Sequence, residues 1–291
     1  MIGNGFDIGN NLKTKPNDFM QYVKENDTNL YTSANNVLYQ STIPQHDNAF
    51  WHNIEHNLEY PSIPATDPNI YTGETVLPPE YIDQFTGKLN SVLNDWIGTV
   101  ENNFDQPCME KNEDYCQWIS EADMFINFNY TSTLEKLYNI QESKDFHIHG
   151  SFNGSSNGFP QIGHKKVKAI PINNMLSSPI VSPKGTNEDR TNYLLRKTEK
   201  HTRGNYTRLK DFLENYNDSI FITDIYSIGL SFSKVDCDYL RYMNCDNLIT
   251  EETYWHIGVY TNTETRAIKR NINAALKFEI DSNHFKTIDF S

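Results

Sequence analysis

The chain has 291 residues, a net charge of −13, 37% hydrophobic residues and 13% aromatic residues. This length and aromatic content predict a globular fold with a full core, most simply one domain over 1–291, and exclude general disorder. The acidic charge excludes a sequence-independent grip on nucleic acid, which needs Lys and Arg against phosphates, but it is compatible with a nucleotide pocket.

The first predicted element is a glycine turn, Gly3-Asn4-Gly5, that leads into a helix. Because glycine has no Cβ, such a turn can bring backbone N–H groups and a helix N-terminus close to a phosphate. The spacing is G-x-G-x-x-x-G with Gly9, which differs from the strict dinucleotide-binding fingerprint. The turn therefore indicates phosphate binding only in combination with other motifs.

Helical spacing of large apolar side chains marks the next hundred residues. It predicts a helix over 48–60 and a longer helix over about 80–104. Five prolines in 61–79 predict a loop between these helices. The mainly helical block, at about 31–120, is expected to be an insertion beside the first turn.

Short apolar segments alternate with helical ones in the rest of the chain. The predicted strands are 122–128, 146–149, 226–230, 254–260 and a terminal strand within 278–290; the predicted helices begin after Ser132 and cover 187–217 and 263–276. Ser132 and Glu135 also have capping-box spacing. The alternation indicates an α/β fold, with a mostly parallel sheet and helices on both faces.

The chain offers little length for a strand before the glycine turn. Only Met1 and Ile2 precede Gly3, whereas a strand normally has about five residues. We expect a form extended by an upstream β-rich segment to be more stable. Equal melting temperatures for the two forms would contradict this expectation.

Membrane and redox signals are weak. No run of about 18 apolar residues is present, so no membrane span is expected. The four cysteines form no C-x-x-C pair, which favours free thiols in a reducing cytoplasm.

Four motifs in this order resemble the AbiH family, bacterial proteins named for abortive infection against phage. The motifs are GNGFD (3–7), FNYTSTLEKLY (128–138), HIHG (147–150) and GLSFSKVDCDYL (229–240). More distantly, the pattern is similar to SIR2-like domains, which are Rossmann-type folds that bind NAD and carry a helical insertion. This second resemblance implies phage defence through degradation of NAD.

The SIR2-like resemblance also implies roles for particular residues. Asn129 and His149 match its Asn and His positions, whereas Gly229 and Ser231 match its late glycine–serine turn. Thr131 stands where an Asp is common, which is a departure from the pattern. Ligands bind parallel sheets beyond the C-terminal ends of the strands, where all these segments are expected.

Cleavage of the nicotinamide–ribose bond needs a held ribose and a positioned water more than covalent help. We expect Asn129 to orient a hydroxyl or the water, because its amide both donates and accepts, and His149 to be the general base. The remaining predicted contacts are with NAD: Gly3, Asn4 and Gly5 at the diphosphate, Gly229 and Ser231 on the adenosine side, and Asp7 at a ribose or, preferably, as a helix cap.

Structural roles remain open for the same residues, since glycines make turns, Asn and Ser cap helices, and a histidine can bond to backbone. A second interpretation is a sensor that binds a nucleotide or ADP-ribose without turnover. A third is a metal-dependent hydrolase, through His52 and His56 of an H-x-x-E-H pattern or through His147 and His149. No metal is expected; a phage-derived activator and a homo-oligomer are compatible with the sequence.

Overall fold

The computed structural model describes residues 1–37, 54–59, 79–104, 111–152, 154, 158–164, 187–216, 221–259 and 262–290. The helices in these ranges are α1 (Asn4–Gly9), α2 (Pro16–Asn26), α3 (Thr28–Val37), α4 (Ile54–Glu59), α5 (Pro79–Glu101), α6 (Cys116–Glu121), α7 (Thr133–Tyr138), α8 (Asn187–Lys197), α9 (Thr202–Tyr216), α10 (Asp236–Cys245) and α11 (Asn262–Leu276). The strands are β1 (Phe125–Asn127), β2 (Asp145–His147), β3 (Asp224–Ser227), β4 (Tyr254–Val259) and β5 (Phe285–Asp289). This mixture of helices and small parallel sheets is compatible with the α/β class.

The chain divides into two compact units. The first comprises Met1–Thr14, Ile97–Pro160 and His201–Ser291, and the second comprises Lys15–Trp96 and Gln161–Lys200. The strands β1 to β5 all belong to the first unit. Within the described part of the chain, no helix combines the length and apolar character that a membrane span requires. The insertion boundaries at about 31–120 stay a prediction.

The strands of the first unit form two small parallel sheets. β1 pairs with β2, with Phe125 opposite Asp145 and Asn127 opposite His147. The second sheet has the order β3-β4-β5. The strands are shorter than the sequence predicts because only part of each apolar segment pairs with a neighbouring strand.

Ile2 connects the two sheets. Its N–H donates to the carbonyl of Ile126 at 3.0 Å, and its carbonyl accepts from the N–H of Phe128 at 2.8 Å. On the other side, Ile2 forms a parallel bridge with Ile228. The parallel segments therefore lie in the order β2, β1, Ile2, β3, β4, β5, and the direction of chain order reverses at Ile2.

The core of the first unit lies on β4 and the helices around it. Trp255 and Ile257 are buried in β4, where α11 contributes Ile272 and Leu276 and α10 contributes Met243. Ile272 and Leu276 are four residues apart, so they share one face of α11. Each such buried side chain stabilises the fold by about 1.5–3 kcal/mol relative to exposure.

A cavity of about 360 Å³ lies near the start of β1 and β3. Its lining includes Met124 and Ile126 on one side and Ile222 and Tyr226 on the other, with Ile2 between them. The cavity is therefore near the N-terminal ends of the strands, and none of the predicted site residues lines it.

The predicted helix over 187–217 is in fact two helices, α8 and α9. Between them His164 donates its N–H to the carbonyl of Thr198 at 3.0 Å, and Lys200 donates its N–H to the carbonyl of His164 at 2.9 Å. This bridge needs extended backbone, so it interrupts the helix. The pairing partner is distant in sequence, which is why periodicity alone did not indicate the break.

Two glycine turns touch at the centre of the first unit. Gly5 donates its N–H to the carbonyl of Gly229 at 3.0 Å, and Gly229 has a φ of +67°. A Cβ on Gly229 would collide with the backbone nitrogen of Phe6 and the carbonyl carbon of Gly5. Glycine at 229 is thus required both by its left-handed conformation and by the close approach.

We predict that Gly229→Ala lowers the free energy of unfolding by roughly 2 kcal/mol or more, because neither backbone can move away without breaking the contact. The matched control is Gly204→Ala in α9, where the nearest neighbour of an added Cβ is His201 Cβ at 4.0 Å. Urea unfolding of both variants tests this. A Gly229→Ala variant within 0.5 kcal/mol of the parent, roughly the noise for a surface change, would contradict it.

Candidate functional site

The predicted site residues follow consecutive parallel segments. Asn129 comes two residues after β1, His149 two residues after β2, and Gly229 two residues after β3, while Gly3 directly follows Ile2. Parallel strands end at one edge of a sheet, so these segments share that edge. Direct contacts join some of them: the Nδ2 of Asn129 donates to the carbonyl of Gly3 at 3.1 Å.

The glycine turn uses its backbone donors within the protein. Gly3 donates its N–H to Ile228 O at 2.9 Å, Gly5 donates to Gly229 O at 3.0 Å, and Phe6 donates to Gly3 O at 2.8 Å. Asn4 is exposed, and its Nδ2 donates to the carbonyl of Thr14 at 2.9 Å. Contact of Gly3, Asn4 and Gly5 with a diphosphate stays a prediction.

Asn129 is held at three points. It is 5% exposed, its N–H donates to Asn127 Oδ1 at 3.0 Å, and its carbonyl lies 2.9 Å from His147 Nδ1. A carbonyl only accepts, so His147 Nδ1 carries the hydrogen. The orientation of Asn129 is therefore fixed by neighbours on both β1 and β2.

His149 lies in an aromatic enclosure. It is 6% exposed, and the rings of Phe128 and Tyr239 each lie 5.7 Å from its ring centre, in edge-to-face geometry. Both ring nitrogens are shielded from solvent. This packing fixes the imidazole plane, as a positioned base requires.

The third segment is the turn after β3. Gly229 is partly buried and Leu230 is buried, whereas Ser231 is exposed. Phe232 has a φ of +52°, so the chain turns sharply before α10. Ser231 is thus accessible to a ligand, and its predicted contact with the adenosine side stays a prediction.

Asp7 does not cap a helix. α1 has Gly3 at its N-cap without a side-chain cap bond, and Asp7 is in its first turn. The carboxylate of Asp7 is 1% exposed and accepts from Thr131 Oγ1 at 2.6 Å and Thr133 Oγ1 at 2.7 Å. Thr131, the departure from the SIR2-like pattern, therefore supplies a hydroxyl to Asp7. Burial raises the pKa of Asp7 to about 7, although both threonine hydroxyls act in the opposite direction.

Sequence reasoning missed a charged cluster of Glu135, Asp145 and His147. His147 Nε2 lies 3.1 Å from Glu135 Oε1 and 3.4 Å from Asp145 Oδ2. Burial disfavours the charged form of His147, but the hydrogen bond of Glu135 and the charge of Asp145 prevail and raise its pKa to about 9. Burial also raises the pKa of Asp145, to about 7. The contact between Glu135 and His147 joins the start of α7 to β2. In the sequence, the spacing of the H-x-H motif was the signal that pointed to a functional His147.

The predicted capping box at Ser132 is absent. The Ser132 side chain makes no cap bond, and its N–H donates to Glu101 Oε1 at 2.6 Å. Glu135, the expected partner, bonds to His147 instead. The Ser132 N–H is thus satisfied by Glu101, which leaves the Glu135 carboxylate to pair with the imidazole of His147.

The two metal-dependent alternatives involve different parts of the chain. Glu135, Asp145 and His147 place ligand atoms within 4.8 Å of one another, and this group does not include His149. His52 lies outside the described residues; Glu55 of the same pattern pairs with Lys200 at 2.5 Å. Cys116, Cys237 and Cys245 form no disulfide among the described residues, and Cys108 lies outside them.

We predict a specific pH dependence for Asp7→Asn. The pKa of Asp7 is higher in the folded chain than its ordinary value of 3.8, so the folded state holds the extra proton and loses stability as pH rises from about 4 to 7. Asp7→Asn removes this loss, which is of the order of 4 kcal/mol because one pKa unit corresponds to about 1.4 kcal/mol. Urea unfolding at pH 5 and pH 8 measures it. Asp211→Asn on the exposed face of α9 is the control, and an Asp7→Asn curve parallel to the parent's would contradict the prediction.

Comparison with known proteins agrees with the motifs. The model of one family, described as "Bacteriophage abortive infection AbiH", matches residues 1–257. No curated protein and no solved structure matches the chain. Because the family match spans most of the 291 residues, the protein belongs to the AbiH family of bacteriophage abortive infection proteins.

Proposed function

We propose that this AbiH protein binds NAD and hydrolyses it at the nicotinamide–ribose bond. The observation that carries the proposal is the reversal of strand order at Ile2. The order β2, β1, Ile2, β3, β4, β5 corresponds to the 3-2-1-4-5-6 order of Rossmann-type folds, if Ile2 counts as the first strand. Such folds bind dinucleotides beyond the strand ends at the point of reversal.

The arrangement of side chains at this edge fits the chemistry. Asn129 lies between the end of β1 and Gly3, so a ribose placed over the glycine turn would meet its amide. His149 follows the neighbouring strand, and its ring is held edge-to-face by Phe128 and Tyr239, as a positioned general base requires. Ser231 is exposed after β3, on the far side of Gly229, where the adenosine half would extend.

In this proposal Asp7 stabilises the site and does not contact the ligand. Its carboxylate ties α1 to Thr131 and Thr133, and so holds the glycine turn against the segment that carries Asn129. Abortive-infection defence then follows from loss of NAD in the infected cell. The NAD that would be degraded is cytoplasmic, so we propose that the protein is cytoplasmic. We also propose a phage-derived component as its trigger.

A second candidate is nucleotide or ADP-ribose binding without turnover. The N–H groups of Gly3, Gly5 and Phe6 are already bonded to protein carbonyls, which leaves fewer donors for a diphosphate. The shielded ring nitrogens of His149 also favour this candidate, because a general base must reach its proton. Turnover separates the two candidates.

We predict that purified protein releases nicotinamide from NAD, and that His149→Ala lowers this rate by about 10²–10⁴-fold while NAD binding is kept, since a general base acts mainly in the transition state. Asn129→Ala should lower the rate as well. His201→Ala, at an exposed position before α9, is the matched control and should keep the parental rate.

The assay is run with and without an extract of phage-infected cells. No nicotinamide release in either condition, together with measurable ADP-ribose binding by calorimetry, would contradict hydrolysis and favour the sensor. A stoichiometric metal required for activity would favour the metal-dependent alternative.

A further inference from the structure

We propose that His147 is a positioning residue, which holds the backbone of Asn129 through a charged hydrogen bond while Glu135 and Asp145 keep its imidazole in place. This inference rests on the proposed role of Asn129 in NAD hydrolysis. His147 is 1% exposed and its Nδ1 bonds to the carbonyl of Asn129, so it acts through that residue.

The geometry requires a positive centre at His147 Nε2. Its Nδ1 hydrogen goes to the carbonyl of Asn129 at 2.9 Å, so a neutral ring would present a lone pair at Nε2. Carboxylate oxygens of Glu135 and Asp145 lie 3.1 and 3.4 Å from that atom. A lone pair facing the Glu135 carboxylate is repulsive, whereas an imidazolium N–H directed at it is strongly attractive. His147 is therefore the charged form of the residue.

Asp145 also reaches Asn129 by a second route. Its Oδ2 accepts from Asn127 Nδ2 at 2.9 Å, and Asn127 Oδ1 accepts the N–H of Asn129 at 3.0 Å. The N–H and the carbonyl of Asn129 are thus both held by side chains that Asp145 orients. With the backbone fixed on both sides, the Asn129 amide stays directed at Gly3.

This arrangement explains why charge is buried in the cluster. Removing one partner of a buried charged pair leaves an unpaired charge and is costly, so the cluster has few alternative arrangements. Displacement of a catalytic amide by about 1 Å can lower the reaction rate about 10²-fold, so rigid support of Asn129 would favour catalysis.

Two substitutions at position 147 separate the two ring nitrogens. In His147→Asn the amide is attached at Cγ, as Nδ1 is, so the donor to the Asn129 carbonyl can be kept. In His147→Gln the amide reaches the Nε2 position, so the bond to Glu135 can be kept while the donor to Asn129 is lost. If His147 positions Asn129, His147→Gln lowers kcat for NAD by about tenfold or more with little change in KM, and His147→Asn loses less.

A double-mutant cycle tests whether the effect passes through Asn129. His147→Gln should cause no further loss of kcat in the Asn129→Ala background, because the positioned side chain is already gone. Additive losses would overturn the proposal. So would a stoichiometric divalent metal in the parent protein that His147→Gln removes, because a metal would then occupy the position of the Nε2 proton.

Hydrogen exchange gives a readout that needs no turnover. Residues 127–133 should exchange faster in His147→Gln than in the parent, and by a smaller factor in His147→Asn. If the parent releases no nicotinamide, NAD hydrolysis fails while this exchange pattern still supports the positioning role. Equal exchange in the parent and His147→Gln would overturn it. Should His147→Gln not fold, Glu135→Gln, which removes one of the two supporting charges, is expected to raise exchange in the same segment.

Discussion

The contact between two glycine turns is the constraint on which the first unit depends. Gly5 and Gly229 approach so closely that a Cβ on Gly5 would lie 2.6 Å from Gly229 Cα. This approach, with the hydrogen bonds of Ile2, places one short extended segment between two sheets that otherwise do not pair. The edge where Asn129 lies exists because these backbones meet.

Ionisable side chains are buried next to the segment that carries Asn129. Asp7 accepts hydrogen bonds from the hydroxyls of Thr131 and Thr133, and His147, paired with Glu135 and Asp145, bonds to the carbonyl of Asn129. Buried ionisable groups cost free energy unless they are paired and hydrogen-bonded. Perturbed ionisable groups commonly gather at functional sites, and the proposed role of Asn129 is consistent with that tendency.

Local patterns were sufficient for most elements and insufficient for the contacts between them. The apolar run at 122–128 and the spacing in 263–276 predicted β1 and α11, since both depend on burial of one sequence-local face. The roles of Thr131 and Glu135 could not be read locally, because their partners Asp7 and His147 are brought to them by the sheet. Gly229 was expected to contact a ligand, and in the structure it contacts the other glycine turn.

A crystal structure of the protein grown with NAD or ADP-ribose tests the central claim most directly. The account predicts that the ligand lies across the strand ends at Ile2, with ribose against Asn129 and the adenosine half towards Ser231. A ligand seated instead in the cavity at the opposite ends of β1 and β3, or an empty edge at millimolar ligand, would contradict it.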